Sequence, residues 1–411
     1  MKQMKDSGIE WIGQIPEDWN IVRVKQAFIR KNKKAQQENP VVLSLARAGV
    51  KVRDVSTNEG QVAESYYNYN PVSVGDLLLN PMDLYSGANC SLSEVEGVIS
   101  PAYVNLKNKE GYFSKFYDYY FKVQYWMMVL FAHGKGVSFD NRWTLNHETL
   151  MNFPIVSPDF EIQKRIADFL DEKCGKIDRY IAKQQQVIEK LKTYKQSVIT
   201  EAVAYRNGWT SCHLGYLAQF KNGLNYSGLS TDVEIKFLGV GDFQAHFILD
   251  SKEMFSTLKF DGNMPEDLLL KSGDIVFVRS NGSKELVGRS VLIENIDYPL
   301  TYSGFCIRMR NYRQDAVLSK FLLYRFWSNE FRQSLNRDSR GSNINNLNQE
   351  LLSKLTVSFP NIKEQRDIID FLDKKCAEID RTIDKKQLLI DKLTEYKKSL
   401  IYEVVTGKLE V

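Results

Sequence analysis

The chain has 411 residues, of which 43% are hydrophobic and 26% are charged, and its formal net charge is +4. This length allows two or three domains with sizeable cores, and the composition is ordinary for a soluble protein. No apolar run approaches the roughly 18 residues that a membrane helix needs, and the first residues lack a signal-peptide pattern. The mild positive charge permits a nucleic-acid partner without requiring one. The five cysteines are scattered and form no C-x-x-C pair, so we expect a reduced, cytoplasmic protein.

The first part of the chain, up to about residue 153, is predicted to combine short strands with one clear helix. Residues 1–19 contain Trp11 and Trp19 together with glycines and a proline, which indicates an irregular segment held by aromatic anchors. Turn residues bound three strand candidates, Pro40–Leu45, Asp76–Leu79 and Tyr103–Leu106. The aromatic, periodic stretch Ser114–Phe131 predicts a helix, and a glycine-containing loop over 133–143 follows it.

Two long stretches, 168–203 and 370–405, are copies of each other at a constant offset of 202 residues. A repeat of this length is far longer than a solenoid unit, so it indicates a duplicated module. Each copy has an apolar heptad pattern without proline, which predicts a long helix that needs a partner, and the other copy is the nearest candidate. We expect Gly175 to be the weak point of the first helix, because glycine weakens a helix interior. The heptad positions are Leu170, Ile177, Gln184, Leu191 and Val198 in the first copy and Leu372, Ile379, Lys386, Leu393 and Leu400 in the second.

The stretches that precede the two long helices share a frame but little sequence. The Gly75-Asp76 and Gly273-Asp274 pairs predict matching turns, and a second helix is expected to start at Ser319 as the first starts at Ser114. We therefore predict an α+β fold in which two mixed α/β domains are separated by two long helices that pair as an antiparallel coiled coil, with an internal pseudo-two-fold repeat. The predicted domains are residues 1–157 (head 1), 158–206 (central helical repeat), 207–359 (head 2) and 360–411 (C-terminal helical repeat).

No catalytic constellation or metal site is predicted from the sequence. The F-x-G-x-G pattern at 237–241 resembles a methyltransferase cofactor loop, but no βαβ run follows it, which favours a strand and a turn. The Asn80-Pro81-Met82-Asp83 run lacks the aromatic residue with which adenine methyltransferases stack a flipped base. The four histidines do not have metal-ligand spacing, and the phosphate-binding P-loop spacing is absent. Cys174 and Cys376 are interpreted as small apolar packing residues.

Basic residues beside Gly, Asn and Ser in loops are the candidate nucleic-acid contacts. Arginine and lysine can bind phosphates or guanine edges, while asparagine can read adenine. Any mixed domain also has basic loops, so each group alone is equally consistent with a solvated surface. The candidates are Arg47, Lys51, Arg53, Lys135, Arg142, Arg279, Lys284, Arg289, Arg337 and Arg340.

The chain resembles, over its whole length, the specificity (S) subunit of type I restriction–modification systems. The opening at residues 8–19, GIEWIGQIPEDW, is similar to the way many of these subunits begin. The runs that start at Pro158 and Pro360 are similar to the family's entry into each helical region, although Ile162 stands where Glu is usual. The end of the second helix, with Thr406-Gly407-Lys408, is the family's usual tail, whereas the first copy has Ala204-Tyr205-Arg206 there.

The resemblance implies that the two heads are target-recognition domains, each of which reads half of a bipartite site on double-stranded DNA. It further implies that the helices set the spacer and recruit two methyltransferase (M) subunits, which carry S-adenosylmethionine and methylate adenine N6. Motor-nuclease (R) subunits would join for cleavage, and this chain itself would bind no cofactor. The expected helix-pair and M-subunit interface residues are Leu170, Ile177, Ile181, Ile188, Leu191, Tyr194, Leu372, Ile379, Ile383, Ile390, Leu393 and Tyr396.

Two other functions are weighed against this one. The chain could be a non-catalytic coiled-coil adaptor with two protein-binding heads, which would have no sequence-specific affinity for DNA even beside an M subunit. A self-contained methyltransferase would need a cofactor site of its own, which the sequence does not predict.

Overall fold

The computed structural model describes residues 3–46, 49–56, 63–82, 84, 89–136, 143–225, 233–243, 247–260, 264–283, 286–337 and 347–411. The chain forms two compact units. Unit 1 comprises residues 1–184 and 388–411, and unit 2 comprises residues 185–387. Each unit therefore contains one head, the first part of one long helix and the last part of the other.

Head 1 is built from short, mostly antiparallel strands, and its longest helix, residues 114–126, packs on them. The four-stranded sheet has the order β4-β11-β8-β9, and two-stranded pairs are formed by β1 with β2, β3 with β12, β5 with β6, and β7 with β10. The elements are β1 (Met4–Asp6), β2 (Gln14–Pro16), β3 (Asn20–Arg23), α1 (Val24–Ala27), β4 (Phe28–Arg30), β5 (Leu43–Ala46), β6 (Gly49–Val52), β7 (Asn70–Val72), β8 (Leu77–Leu79), β9 (Cys90–Leu92), β10 (Gly97–Ile99), β11 (Val104–Asn108), α2 (Ser114–Trp126), α3 (Val129–Ala132), α4 (His147–Asn152) and β12 (Pro154–Ser157).

Two local predictions for head 1 were wrong. Residues 4–16 form the β1–β2 hairpin and not an irregular segment, with Gly8 and Gly13 at positive φ where the chain turns. The predicted helix 114–131 is interrupted, since Met128 has φ +59 and separates α2 from α3. The aromatic anchoring is confirmed: Trp19 is buried, and Trp11 stacks on Phe153 with the ring centroids 5.6 Å apart.

Head 2 has the same frame with a larger sheet. Its five-stranded sheet has the order β14-β21-β18-β19-β16, beside a three-stranded sheet, β17-β15-β20, and the pair β13-β22. The elements are β13 (Thr210–His213), β14 (Ala218–Asn222), β15 (Val233–Leu238), β16 (Ile248–Leu249), β17 (Ser256–Phe260), β18 (Ile275–Val278), β19 (Ser290–Ile293), β20 (Leu300–Tyr302), β21 (Cys306–Asn311), α6 (Ser319–Trp327), α7 (Asn329–Arg337), α8 (Gln349–Lys354) and β22 (Thr356–Phe359). The F-x-G-x-G pattern is a strand and a turn as predicted, because β15 ends at Leu238 and the Gly239 N–H donates to Asp242 at 2.7 Å.

The long helices are α5 (Phe160–Ala202), which precedes head 2 in the chain, and α9 (Ile362–Val405). The predicted break at Gly175 was wrong, because α5 continues through it. Cys174 beside it is buried among core residues of unit 1, and a Cβ on Gly175 would meet only the Arg179 side chain. Packing of the heptad face therefore outweighs the weak helix propensity of one glycine.

In each unit, a segment of α5 lies antiparallel to a segment of α9, which confirms the predicted pairing. In unit 1, Lys397 Nζ contacts the Asp178 carboxylate oxygens at 2.6 and 2.7 Å. In unit 2, Lys195 contacts Asp380 at 2.6 and 2.8 Å. These are the same two heptad positions, since both members of the second pair differ from those of the first by the 202-residue offset. The internal repeat thus extends from sequence to individual contacts.

A buried glutamine fastens each head to its long helix. Gln163 accepts a hydrogen bond from the Phe113 N–H at 2.8 Å and donates to the Pro158 carbonyl at 2.7 Å. Gln365, at the matching position, accepts from the Leu318 N–H at 2.8 Å and donates to the Pro360 carbonyl at 2.7 Å. Both side chains are almost fully buried, so these bonds fix where α2 and α6 start relative to α5 and α9.

The departure from the family pattern at Ile162 has a structural consequence. In unit 2, the indole N–H of Trp209 donates to Glu364 at 3.3 Å. In unit 1 the matching residues are Trp19 and Ile162, and the buried indole N–H of Trp19 has no hydrogen-bond partner among the described residues. Because Ile162 is apolar, the Trp19 indole in unit 1 lacks the acceptor that Glu364 provides for the Trp209 indole in unit 2.

We expect Glu364→Ile to destabilise unit 2 by about 1–2 kcal/mol, because it creates there the unpaired buried indole that unit 1 already has. Hydrogen exchange of peptides that cover residues 203–213 and 356–366 would measure the change. Lys363→Ile, which alters the exposed neighbour, is the matched control. Equal exchange in the two variants would show that the Trp209–Glu364 bond contributes nothing to stability.

Candidate nucleic-acid interface

The two Gly-Asp turns are structural anchors at the start of a central strand in each head. Asp76 binds the Lys31 ammonium at 2.5 Å and accepts from the Ser73 N–H at 2.8 Å. Asp274 forms a bidentate pair with Arg310, at 2.8 and 2.7 Å, and this hydrogen bonding raises the pKa of the guanidinium. Both carboxylates are buried and paired with a cation, so each holds its own strand, β8 or β18, in register.

The C-terminal ends of β8 and β18 lie at the base of the loop that precedes the last short helix of each head, α4 in head 1 and α8 in head 2. The Pro81 carbonyl accepts from the Leu145 N–H at 2.8 Å, and the Arg279 carbonyl accepts from the Leu347 N–H at 2.8 Å. In both heads the acceptor of this bond lies just after the end of a strand. The donor lies just before a helix whose N-cap is an asparagine, Asn146 or Asn348. The residues that flank the loop at 133–143 therefore correspond to the residues that flank the loop at 337–343.

In head 1 the β5–β6 hairpin reaches the same edge. The Asn89 side chain donates to the Ala46 carbonyl at 2.6 Å, and the Asn89 carbonyl accepts from the Asn80 N–H at 3.0 Å. The hairpin end, the end of β8 and the loop base at Leu145 thus meet in one place. We call this set the recognition edge of head 1, and its counterpart around Arg279 and Leu347 the recognition edge of head 2.

Both heads also share a four-residue turn, which leads into β11 in head 1 and into β21 in head 2. In head 1 the Tyr103 N–H donates to the Ser100 carbonyl at 3.0 Å, and in head 2 the Cys306 N–H donates to the Ser303 carbonyl at 2.8 Å. The Ser100 and Ser303 hydroxyls accept from the third residue of each turn, at 3.4 and 3.2 Å. In head 2 this turn is at the recognition edge, since the Arg279 N–H donates to the Phe305 carbonyl at 2.7 Å.

The structure places three of the basic candidates of head 1. Lys51 is exposed on β6, and Arg53 follows that strand with its N–H bonded to the Val42 carbonyl at 2.8 Å. Lys135 lies at the base of the 133–143 loop, where it exchanges backbone bonds of 2.8 and 3.0 Å with Thr144. Arg47 and Arg142 lie outside the described residues.

The candidates of head 2 differ in their surroundings. Arg279 is part of the recognition edge, and its guanidinium donates to the Gly304 carbonyl at 3.5 Å. Arg289 is half-buried, donates to the Phe243 carbonyl at 3.3 Å and lies 5.6 Å from the Trp327 ring, so it packs within the head. Arg337 ends α7, but its side chain lies outside the described residues, as do Lys284 and Arg340.

The helix-pair candidates divide into two groups. Most are buried or half-buried: Leu170, Ile177, Ile181, Ile188, Leu191, Leu372, Ile379, Ile383, Ile390 and Leu393. Tyr194 and Tyr396, which occupy the same repeat position, are 50% and 58% exposed, so each ring is partly open to solvent.

The described residues contain no group of acidic, histidine or cysteine side chains that could hold a metal ion. His133 packs edge-on against both Trp11 and Phe153 and bonds the Val129 carbonyl at 2.8 Å. Burial raises the pKa of the Cys306 thiol to about 12 and that of Cys376 to about 11. These thiols are packing groups, since a reactive cysteine needs a lowered pKa. No described helix is long and apolar enough to cross a membrane.

Comparison with known proteins identifies the fold and the relatives. Residues 207–390 match the family model described as the type I restriction modification DNA specificity domain. The chain is 28% identical, over 80% of its length and 70% of the relative's, to the StySPI type I restriction enzyme specificity subunit of Salmonella potsdam. It is 22% identical to the MjaVIII specificity subunit of Methanocaldococcus jannaschii, over 97% and 94% of the two chains. A solved chain of a type I restriction–modification system has the same fold, with a TM-score of 0.72 at 15% identity over 96% of this chain and 99% of that one.

Proposed function

Because the chain belongs to the family of type I restriction–modification specificity subunits, we propose that head 1 and head 2 each read one half of an asymmetric bipartite DNA site. The observation that carries this proposal is the pair of recognition edges. The two heads repeat the same strand end, turn and loop base, but they place different side chains on them. A shared frame with different side chains suits two readers of the same kind of ligand with different sequence preferences.

The long helices would set the distance between the half-sites and recruit two M subunits. Two equivalent exposed tyrosines, Tyr194 and Tyr396, support a partner that binds twice. The M subunits would supply S-adenosylmethionine and the adenine pocket, with the target base flipped out of the duplex. R subunits would join for cleavage. In this proposal the chain works in the cytoplasm, binds no cofactor of its own and supplies recognition rather than catalysis.

The test is a methylome. The chain is co-expressed with its M subunit, and N6-methyladenine is mapped by single-molecule sequencing, with a culture that lacks this chain as the control. We expect one asymmetric two-part motif with a fixed spacer, and we expect it to disappear in the control. A palindromic motif would refute the idea that each head reads its own half. A stable complex without new methylation or sequence-specific DNA binding would favour the adaptor function.

A further inference from the structure

Head 2 carries an exposed aromatic ring at its recognition edge. Phe305 is 62% exposed and lies third in the turn Ser303-Gly304-Phe305-Cys306. The strand that follows is almost entirely buried, with Cys306 and Ile307 inaccessible to solvent. Single exposed apolar residues are common on protein surfaces, so exposure alone assigns no role to Phe305. Two further features distinguish Phe305 from an ordinary exposed residue. They are the hydrogen bonds that hold its turn and the difference from the matching turn of head 1.

The turn is fixed by hydrogen bonds on both sides. The Arg279 N–H donates to the Phe305 carbonyl at 2.7 Å, and the Gly304 N–H donates to the Leu224 carbonyl at 2.7 Å. The Leu224 N–H in turn donates to the Tyr302 carbonyl at 2.8 Å. The chain that flanks Phe305 is therefore bonded to two other segments of head 2, and the ring projects from a fixed base.

Two glycines make this close approach possible. A Cβ on Gly304 would lie 1.9 Å from the Asn225 side-chain oxygen, and a Cβ on Gly223 would lie 2.2 Å from the Ser303 carbonyl oxygen. At Gly223 the clash is with backbone, so any other residue there would push the two segments apart, whereas at Gly304 the Asn225 side chain would have to move. The packing that holds the base of Phe305 thus depends on glycine at position 223.

Head 1 has the same turn without the ring. Strand registers align the two turns: Leu106 is opposite Leu77 in head 1, as Met309 is opposite Ile275 in head 2. This alignment places Ala102 where head 2 has Phe305, in agreement with the serine-hydroxyl bonds of both turns. The residue that bonds the Phe305 carbonyl is Arg279, whereas head 1 has Pro81 there, which has no N–H to donate.

We infer that Phe305 is a wedge that head 2 inserts between stacked bases of its half-site, and that the matching turn of head 1, with Ala102, inserts none. The inference rests on the proposed function. Proteins that distort DNA use phenylalanine in this way, and a ring stacked on a base offsets part of the cost of unstacking. The neighbouring Arg279 and Asn281 supply the cation and the amide that contact phosphates or base edges beside the opened step.

The test uses the complete complex of this chain with its M subunits and duplexes that carry 2-aminopurine. The probe replaces, one at a time, bases of both half-sites other than the methylated adenines. With the wild-type chain, we expect increased fluorescence at one step, in one half-site only. Phe305→Ala should abolish this increase and weaken DNA binding roughly 10- to 100-fold. Phe305→Trp, which keeps an aromatic ring, should retain both properties.

Tyr312→Ala is the matched control, because Tyr312 is 57% exposed at the opposite end of the same strand, and we expect it to change neither property. The wedge is wrong if Phe305→Ala binds DNA like the wild type with an unchanged fluorescence pattern. It is also wrong if the variant loses affinity for M subunits, as measured without DNA, since Phe305 would then be a protein contact. The proposed function fails separately, and the wedge with it, if the wild-type complex shows no preference for the mapped site.

Discussion

Deletion of one heptad from each long helix is expected to shorten the spacer of the recognised site or to abolish binding, and to leave the letters of both half-sites unchanged. The segments to delete are 182–188 and 384–390, which are equivalent in the repeat. Seven residues correspond to about 10 Å of helix, or roughly three base pairs at about 3.4 Å each. Because seven residues are two turns at the coiled-coil period, the buried face of each helix stays in line. The methylome of each variant is the measurement.

Deletion of residues 182–188 alone is the control for this experiment. It shifts one helix against the other by a whole heptad, so the Lys195–Asp380 and Lys397–Asp178 pairs could not both form in their present register. We expect this variant to lose methylation rather than to recognise a new spacer. Changed half-site letters with an unchanged spacer in the double deletion would contradict the idea that the helices set the distance.

The long helices were the most predictable part of the molecule. Their apolar period repeats over more than thirty residues, and most of the apolar interface candidates on it are buried or half-buried on α5 and α9. Tyr194 and Tyr396 continue the apolar pattern, but half or more of each residue is exposed. Periodicity gives the type of element well, but it does not distinguish a residue in the contact from its neighbour on the helix.

The heads were predictable in outline only. The Gly-Asp turns and the helix starts at Ser114 and Ser319 are local signals, and the structure confirms them. The pairing of β3 with β12 and of β13 with β22 joins residues more than 130 positions apart, which no local pattern specifies. The break at Met128 was also missed, because Met128 takes a left-handed conformation, with φ +59, that the local sequence does not predict.

The candidate DNA contacts show the same division. Lysine and arginine in loops can be found from composition, but their surroundings cannot, and Arg289 proved to be packed against Trp327. Phe305 was missed because a phenylalanine before an apolar strand is indistinguishable from a core residue in sequence. The signal that could have indicated it is the pair of Ser-x-x turns before matching strands, with alanine in one head and phenylalanine in the other.

The Thr406-Gly407-Lys408 tail, which resembles the ending of the family, has a clear structural role in unit 1. The Lys408 N–H donates to the Glu403 carbonyl at 2.8 Å and the Gly407 N–H to the Val404 carbonyl at 3.2 Å. This is a Schellman cap, in which the glycine takes the left-handed conformation, here with φ +72. The cap places Gly407 against the β1–β2 hairpin of head 1, so the end of α9 and the start of head 1 are packed together.

We expect Gly407→Ala to destabilise this junction by roughly 2–5 kcal/mol, from left-handed strain and overpacking together. The added Cβ would lie 2.4 Å from Cδ of Pro16 and 3.1 Å from the Trp19 ring, so the tail and the hairpin would have to separate. Hydrogen exchange of peptides that cover residues 3–23 and 399–411 measures the effect.

Gly8→Ala is the matched control, because Gly8 has the same φ of +72 but no atom within 4 Å of an added Cβ. It incurs only the conformational strain, about 1–2 kcal/mol. The difference between the two variants is therefore the contribution of close packing between the tail and head 1. If both variants speed exchange equally, the tail caps α9 but does not fasten it to head 1. If Gly407→Ala exchanges faster in both segments, the family tail joins the last helix to the first domain.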